Sequence, residues 1–292
     1  MFAGTFVGVV ACARFAAEDT PVGPNTNTNE AAPPSPPDDA SEAGGAFCAT
    51  RGKGGALFSF CDDFDRPGAI EGDDWTRESS NADVGVAATT DPNDARSAPR
   101  ALYVRLPASA AATSGIYGRL RKQVAVPKGA LRLHIQYDVR IDALTAIGMN
   151  FLSVANVFFH GVTCDGGERS RQTSLVLFDT EGQLAALGFK KVCGGADDDD
   201  GVSLKPKLAS ATLAQSGWHH IQMTVTHDPC PNEAGAGSIS LEVDDARACF
   251  TTFEPPFEAG QLVDFNLGVS AGKLARPADS RFFFDNATLD FD

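Results

Sequence analysis

The side chains with chemical potential are few and scattered along the 292 residues. His219 and His220 follow Trp218 and read first as a metal or catalytic pair. Neighbours in a strand point to opposite faces, however, and cannot chelate one ion together, so a structural role is expected for both. His160 and His227 stand alone. Glycoside hydrolysis needs two carboxyl groups facing each other across a cleft, about 5 to 5.5 Å apart in retaining enzymes. The nearest candidates are Asp179 and Glu181 in Phe178-Asp179-Thr180-Glu181-Gly182, where a tight turn accounts for Asp, Thr and Gly. A lyase would draw on a cluster of His, Tyr and Arg or Gln. His134, Gln136 and Tyr137 are close in sequence, but alternation sends Tyr137 to the face opposite the other two.

Calcium takes six to eight hard oxygen ligands, and Asp63, Asp65 and Asp285 are the residues nominated for a structural Ca²⁺ near the paired ends of the chain. The alternative is that Asp285 and Asn286 cap a bend in a strand. The run Asp197–Asp200 lacks the alternating spacing of a calcium loop and reads as solvated charge. Glycan binding requires exposed aromatics and hydrogen-bonding side chains on one surface. Trp75, Trp218 and Tyr137 are assigned to the core, as are most of the twenty Phe. Tyr117, Arg119, Arg121, His134 and Gln136 remain as candidate ligand-binding residues.

The elements that must position these groups are strands. Leu131 to Asp142 alternates apolar and polar residues without a break, the pattern of a long antiparallel strand with one buried face. Similar runs occur at 101–106, 116–126, 149–160, 173–179, 183–192, 218–227, 238–243, 262–270 and 281–291, with Gly, Asp, Asn or Pro in most gaps. No convincing helix and no fixed-period repeat is present, which excludes solenoids and propellers. The expected fold is all-β, a two-sheet antiparallel jelly-roll sandwich over residues 47–292. The acidic, aromatic stretch Cys61–Asp65 is expected to pair with the closing stretch Arg281–Asp292.

A net charge of −14 argues against nucleic acid or an anionic membrane surface as partner. Within the folded region Cys48, Cys61, Cys164, Cys193, Cys230 and Cys249 form an even set. Six cysteines admit many connectivities, but a meander brings sequence neighbours together, so Cys48–Cys61, Cys164–Cys193 and Cys230–Cys249 are expected. Zinc is the weaker reading, since no Cys-x-x-Cys pair occurs. Disulfides imply an oxidising, extracytoplasmic compartment. Residues 1–11 are small and apolar, and Val9-Val10-Ala11-Cys12 has the form of a lipoprotein cleavage box, which would make Cys12 the lipidated residue. The stretch lacks the Lys or Arg that normally precedes such a run, and an ordinary secretory signal is the alternative. Residues 12–46 are rich in Pro, Asn, Thr, Ala and acids and read as a disordered tether. Membrane attachment would then come only through that N-terminal lipid, on a bacterial envelope, with secretion as the alternative.

Three stretches carry a family likeness: Asp62-Asp63-Phe64-Asp65 with Trp75, Gly217-Trp218-His219-His220-Ile221, and Phe284-Asp285-Asn286-Ala287-Thr288-Leu289. On these the chain, from Cys61 onward, resembles the concanavalin A-like lectin/glucanase superfamily, in particular its laminin-G-like jelly rolls. The resemblance implies the sandwich fold and a glycan or cell-surface polymer as partner. The superfold hosts lectins, hydrolases, lyases and structural domains alike. The E-x-D-x-x-E motif of laminarinase-like members is absent. The expected function is therefore a noncatalytic carbohydrate-binding or adhesion module. A divergent polysaccharide hydrolase or lyase is the alternative, and a purely structural surface lipoprotein the second.

Overall fold

The computed structural model describes residues 47–292 apart from 52–54, 72–73, 110–114, 144–151, 165–166, 178–183, 193–202, 205–216, 253–254 and 272–277. Between 161 and 216 it describes strand backbones only. The proposed signal and tether, Cys12, the Cys164–Cys193 bridge, the Asp179–Glu181 turn and the run Asp197–Asp200 lie outside the described residues. The strands are β1 (Phe58–Asp62), β2 (Thr76–Ser79), β3 (Gly85–Ala88), β4 (Leu102–Leu106), β5 (Ile116–Ala125), β6 (Arg132–Ala143), β7 (Leu152–Cys164) and β8 (Gly167–Leu177). They continue as β9 (Leu184–Val192), β10 (Ser203–Leu204), β11 (Trp218–Thr226), β12 (Gly237–Val243), β13 (Ala246–Thr252), β14 (Leu262–Ala271) and β15 (Ser280–Phe291). Among the described residues, helix is confined to single turns at Phe47–Thr50 and Pro92–Asp94.

The strands form two antiparallel sheets stacked as a jelly-roll β-sandwich. The first runs β13-β12-β11-β6-β15-β4-β3, with β1 also on β15, and the second β10-β9-β8-β7-β14-β5-β2. The expected pairing of the chain ends is present, since β1 lies antiparallel to β15 with Cys61 opposite Thr288. Alternation decides which face each strand buries. On β6 the inward set Leu133, Ile135, Tyr137 and Val139 is at most 1% exposed, and it meets Leu120, Val263, Phe265 and Leu267 in one core cluster. A fully buried Phe or Leu at such a position contributes roughly 1.5–3 kcal/mol.

Two expected disulfides are formed, Cys48–Cys61 and Cys230–Cys249, with Cα–Cα distances of 5.6 and 6.0 Å. They close loops of 13 and 19 residues. In the chain-entropy model each such closure contributes about 3 kcal/mol. The first ties the helical turn at Phe47–Thr50 onto β1, where Arg51 pairs with Asp290 of β15.

Trp75 is buried as expected, stacked with Phe64 and donating its indole N–H to Asp62 at 2.6 Å. Trp218 is not in the core. As the first residue of β11 it shares an outward face with His220, and the guanidinium of Arg140 lies 5.3 Å from its ring. Alternation explains the difference: once Ile221, Met223 and Val225 point inward, Trp218 must point out.

Tyr137 is 1% exposed, and its hydroxyl has no hydrogen-bond partner among the described residues. Burial alone pushes its ionisation upward, so it stays a neutral phenol. An unsatisfied buried hydroxyl costs roughly 1–3 kcal/mol, which removing the oxygen relieves. Tyr137→Phe is therefore expected to be as stable as the parent or up to about 1 kcal/mol more stable in urea unfolding. A loss of more than about 1 kcal/mol would reveal a partner for the hydroxyl.

Candidate functional site

A cluster of hydrogen-bonding side chains lies on the outer face of the second sheet, where β5, β14 and β7 run side by side. β5 buries Ile116, Leu120 and Val124, which turns Tyr117, Arg119, Arg121 and Gln123 outward. In β14 the apolar set Val263, Phe265, Leu267 and Val269 points inward, leaving Asp264, Asn266 and Ser270 on the outer face. In β7, Val157 and Phe159 are buried, so Asn156 and Phe158 share that face. Register aligns Gln123, Asp264 and Phe158 in one row, which continues along the backbone to Gln172 and Lys190.

Asp264 is the anchor. It is only 6% exposed, and its carboxylate accepts from Gln123 Nε2 at 2.8 Å and meets His160 Nε2 at 2.8 Å. A carboxylate is an acceptor only, so the His160 nitrogen facing it carries a proton. In the neutral imidazole this leaves Nδ1 as a lone-pair acceptor, on a side chain 41% exposed. Arg121 Nη1 lies 3.9 Å from the same carboxylate. At the edge, Glu78 of β2 accepts from Arg119 at 2.7 and 2.9 Å and pairs with Arg121 at 3.2 Å. The Arg119 guanidinium lies 4.8 Å from the Tyr117 ring centroid. Asn266 is 2% exposed, and its Oδ1 has no partner among the described residues. Beside it Gly268 has φ +141°, and a Cβ there would collide with the Gly118 carbonyl and Arg119 Cα. Glycine lets β14 approach β5 this closely.

The five nominated ligand-binding residues fall on two surfaces. Tyr117, Arg119 and Arg121 belong to the face just described. His134 and Gln136 are on β6, on the outer face of the first sheet, with the core between. There His134 Nδ1 is 3.1 Å from Thr224 Oγ1, and Gln136 stands opposite Gln222. Gln123, Phe158, His160, Asp264 and Glu78 were not nominated. For Asp264 and Phe158 a signal is present in Val263-Asp264-Phe265-Asn266-Leu267, whose polar positions mark an outer face, and in Phe158-Phe159, of which only one can face the core.

His219 and His220 diverge as their adjacency requires. His219 Nδ1 meets Asp244 at 2.8 Å, while His220 Nδ1 meets Asp138 at 2.8 Å on the first sheet's outer face. Asp138 also accepts from Asn286 Nδ2 at 2.7 Å. The carboxylates nominated for calcium have backbone partners. Asp63 accepts from the Cys48 N–H at 3.2 Å and Asp65 from the Arg100 N–H at 3.1 Å. Asp285 Oδ2 accepts from the N–H groups of Arg96 and Ser97 at 2.9 and 2.8 Å. Burial pushes the Asp65 carboxyl up to about 6 and that of Asp285 up to about 8, against the donors that pull them down. Among the described residues no group of three His, Cys, Asp or Glu side chains is arranged to hold a metal ion.

No family model matches the chain, and no curated relative does. Solved structures do. An endo-β-1,4-glucuronan lyase from the fungus Trichoderma reesei superposes with a TM-score of 0.51 at 14% identity, over 80% of this chain and 95% of that one. The alginate lyase vAL-1 from Chlorella virus follows at 0.47 and 14%, over 76% and 95%. A basic winged bean lectin gives 0.46 and 10%, over 80% and 98%. The likeness is one of fold. It agrees with the two-sheet jelly-roll sandwich expected from the sequence, and function has to be argued from the face itself.

The hydrogen bond to Asp138 raises the His220 pKa above the ordinary 6.5 against the opposing effect of burial, with the charges of Asp138, Asp244 and Glu242 adding to it. A histidine raised on folding stabilises fully below its unfolded value, and that contribution is lost as pH rises through the folded value. His220→Gln is expected to lose more stability at pH 5.5 than at pH 8.5, the gap between parent and variant closing as pH rises through roughly 6.5 and above. Equal losses at both pH values, or a His220 imidazole titrating below 6.5 by NMR, would show that Asp138 does not stabilise the cation.

Proposed function

We propose that the outer face of the second sheet binds glycan and that the protein is a noncatalytic carbohydrate-binding module working outside the cytoplasm. The observation that carries this reading is the row Gln123–Asp264–Phe158 with His160 beside it. Phe158 is a half-buried aromatic on a polar sheet face, the surface on which a sugar's C–H face can lie. The groups around it are fixed before any ligand arrives, because buried Asp264 holds both the Gln123 amide and the His160 imidazole. Such preorganisation lowers the ordering cost of binding. Two formed disulfides support an oxidising compartment. With Cys12 lipidated and residues 12–46 as tether, the domain would be displayed on a bacterial envelope.

One observation favours a second reading, a polysaccharide lyase. With Nε2 of His160 donating to Asp264, Nδ1 is the arrangement of a general base, able to take the proton α to a uronate carboxyl. The likeness of fold to a glucuronan lyase is compatible with that reading and does not decide it.

Affinity electrophoresis against a polysaccharide panel, run beside an assay for unsaturated products, separates the two. The expected result is binding without turnover. Phe158→Ala should weaken binding about tenfold, or about 1.4 kcal/mol. Asp264→Asn, which removes the charge holding His160, should weaken it by a similar factor. Turnover abolished by His160→Asn would instead establish the lyase, and binding indifferent to Phe158 and Asp264 would move the site elsewhere.

A further inference from the structure

We propose that Glu78 sets the ligand class of this face, neutralising Arg119 and Arg121 so that the site takes uncharged, polyhydroxylated glycan and excludes polyuronates. The inference rests on the glycan-binding reading above and narrows it.

Arg119 and Arg121 are the cations that β5 places on the face. A free guanidinium offers a planar fork that matches a carboxylate, so an unpaired couple here would be a uronate site. Neither is unpaired. Register sets Glu78 directly opposite Arg119 across the β2–β5 ladder. One Glu78 oxygen takes both Nε and Nη2 of Arg119, at 2.9 and 2.7 Å, and the other lies 3.2 Å from Arg121 Nη1. The three side chains are 22%, 21% and 37% exposed, which shields the cluster from water on most sides. On its far side Arg121 looks toward Asp264 at 3.9 Å. Two cations thus face two carboxylates, and this part of the face is neutral while His160 is neutral.

An incoming uronate would have to displace Glu78 from both guanidiniums and leave that carboxylate beside the newcomer. The like-charge contact offsets what the new pair gains, and the chain's −14 charge adds to it. By backbone position Lys190 is four strand spacings from Gln123 along the row, roughly 19 Å at about 4.8 Å each, and so outside the Glu78–Arg119–Arg121 cluster. What the face still offers is the Phe158 ring and His160 Nδ1, groups suited to C–H faces and hydroxyls.

The test uses the full chain and titrates it, at low and high salt, against a neutral panel (β-glucan, mannan, galactan) and against alginate. The proposal expects a neutral polysaccharide to bind with little salt dependence and alginate not to bind. Glu78→Gln should raise alginate affinity at least roughly tenfold, in a salt-sensitive way, and adding Arg121→Gln should remove the gain. Glu78→Ser, with melting curves for each variant, guards against misreading a folding defect. Binding or cleavage of alginate by the parent protein overturns the inference while leaving a saccharide site standing. A neutral ligand with no gain in Glu78→Gln overturns the gating role, and no binding of either class overturns both the inference and the glycan reading.

Discussion

The structure depends on β15 and on one irregularity within it. Both edges of this strand are occupied: β6 along one side, and β4 followed by β1 along the other. Its inward residues are Phe282 and Phe284, then Ala287, Leu289 and Phe291, all without measurable exposure. The inward set changes from even to odd numbers partway along, which a regular strand cannot do. The bulge between Asp285 and Thr288 absorbs the extra residue, with Asn286 in the left-handed region at φ 52°. Without it, a slip of one residue would turn the aromatics on one side of the bulge outward. The polar pair at the bulge is what makes it tolerable. Asp285 takes the N–H groups of the loop at Arg96–Ser97, and Asn286 donates to Asp138 of the neighbouring strand. Capping a bend and joining the first sheet's central strands, β15 and β6, are here the same act.

Much of the fold was legible because alternation records which side of a strand is buried. Within Leu131–Asp142 the inward positions from Leu133 to Ile141 follow the alternation, while Leu131 lies just before β6 and is exposed, and the pairing of the chain ends follows from their shared acidic and aromatic character. Alternation does not record which sheet a strand joins. β5 and β6 are separated only by the turn at Pro127–Ala130, yet they lie in opposite sheets. That crossing divides Tyr117, Arg119 and Arg121 from His134 and Gln136, groups that sequence proximity had put together. A short turn can serve a hairpin or a crossing between layers, and its residues alone do not distinguish the two.

The site was harder to read for a related reason. Residue type points Trp218 and most of the Phe to the core, yet Trp218 and Phe158 face outward because inward positions are taken by others: Phe159 in one strand, and the phase set by Ile221 in the other. His160 looked unremarkable because its partner, Asp264, is more than a hundred residues away in sequence. No local pattern encodes a contact made across a ladder.

Each outer face carries the same device, a carboxylate set low in the sheet with an imidazole above it: Asp264 with His160, and Asp138 with His220. A carboxylate so deeply placed loses much of its hydration, and two donors must replace it. At Asp264 they are Gln123 and His160, and at Asp138 they are Asn286 and His220. The consequences differ because the second donors differ. Asn286 belongs to the bulge of β15, so loosening Asp138 disturbs the register of the central strand. Gln123 is an outward side chain of β5 whose inward neighbours Leu120 and Val124 keep the strand in place whatever Gln123 does. The second sheet's carboxylate and its donors are therefore not needed to hold the register of their strands, whereas the first sheet's are. That difference is the physical reason for proposing the second sheet, rather than the first, as the face open to a ligand.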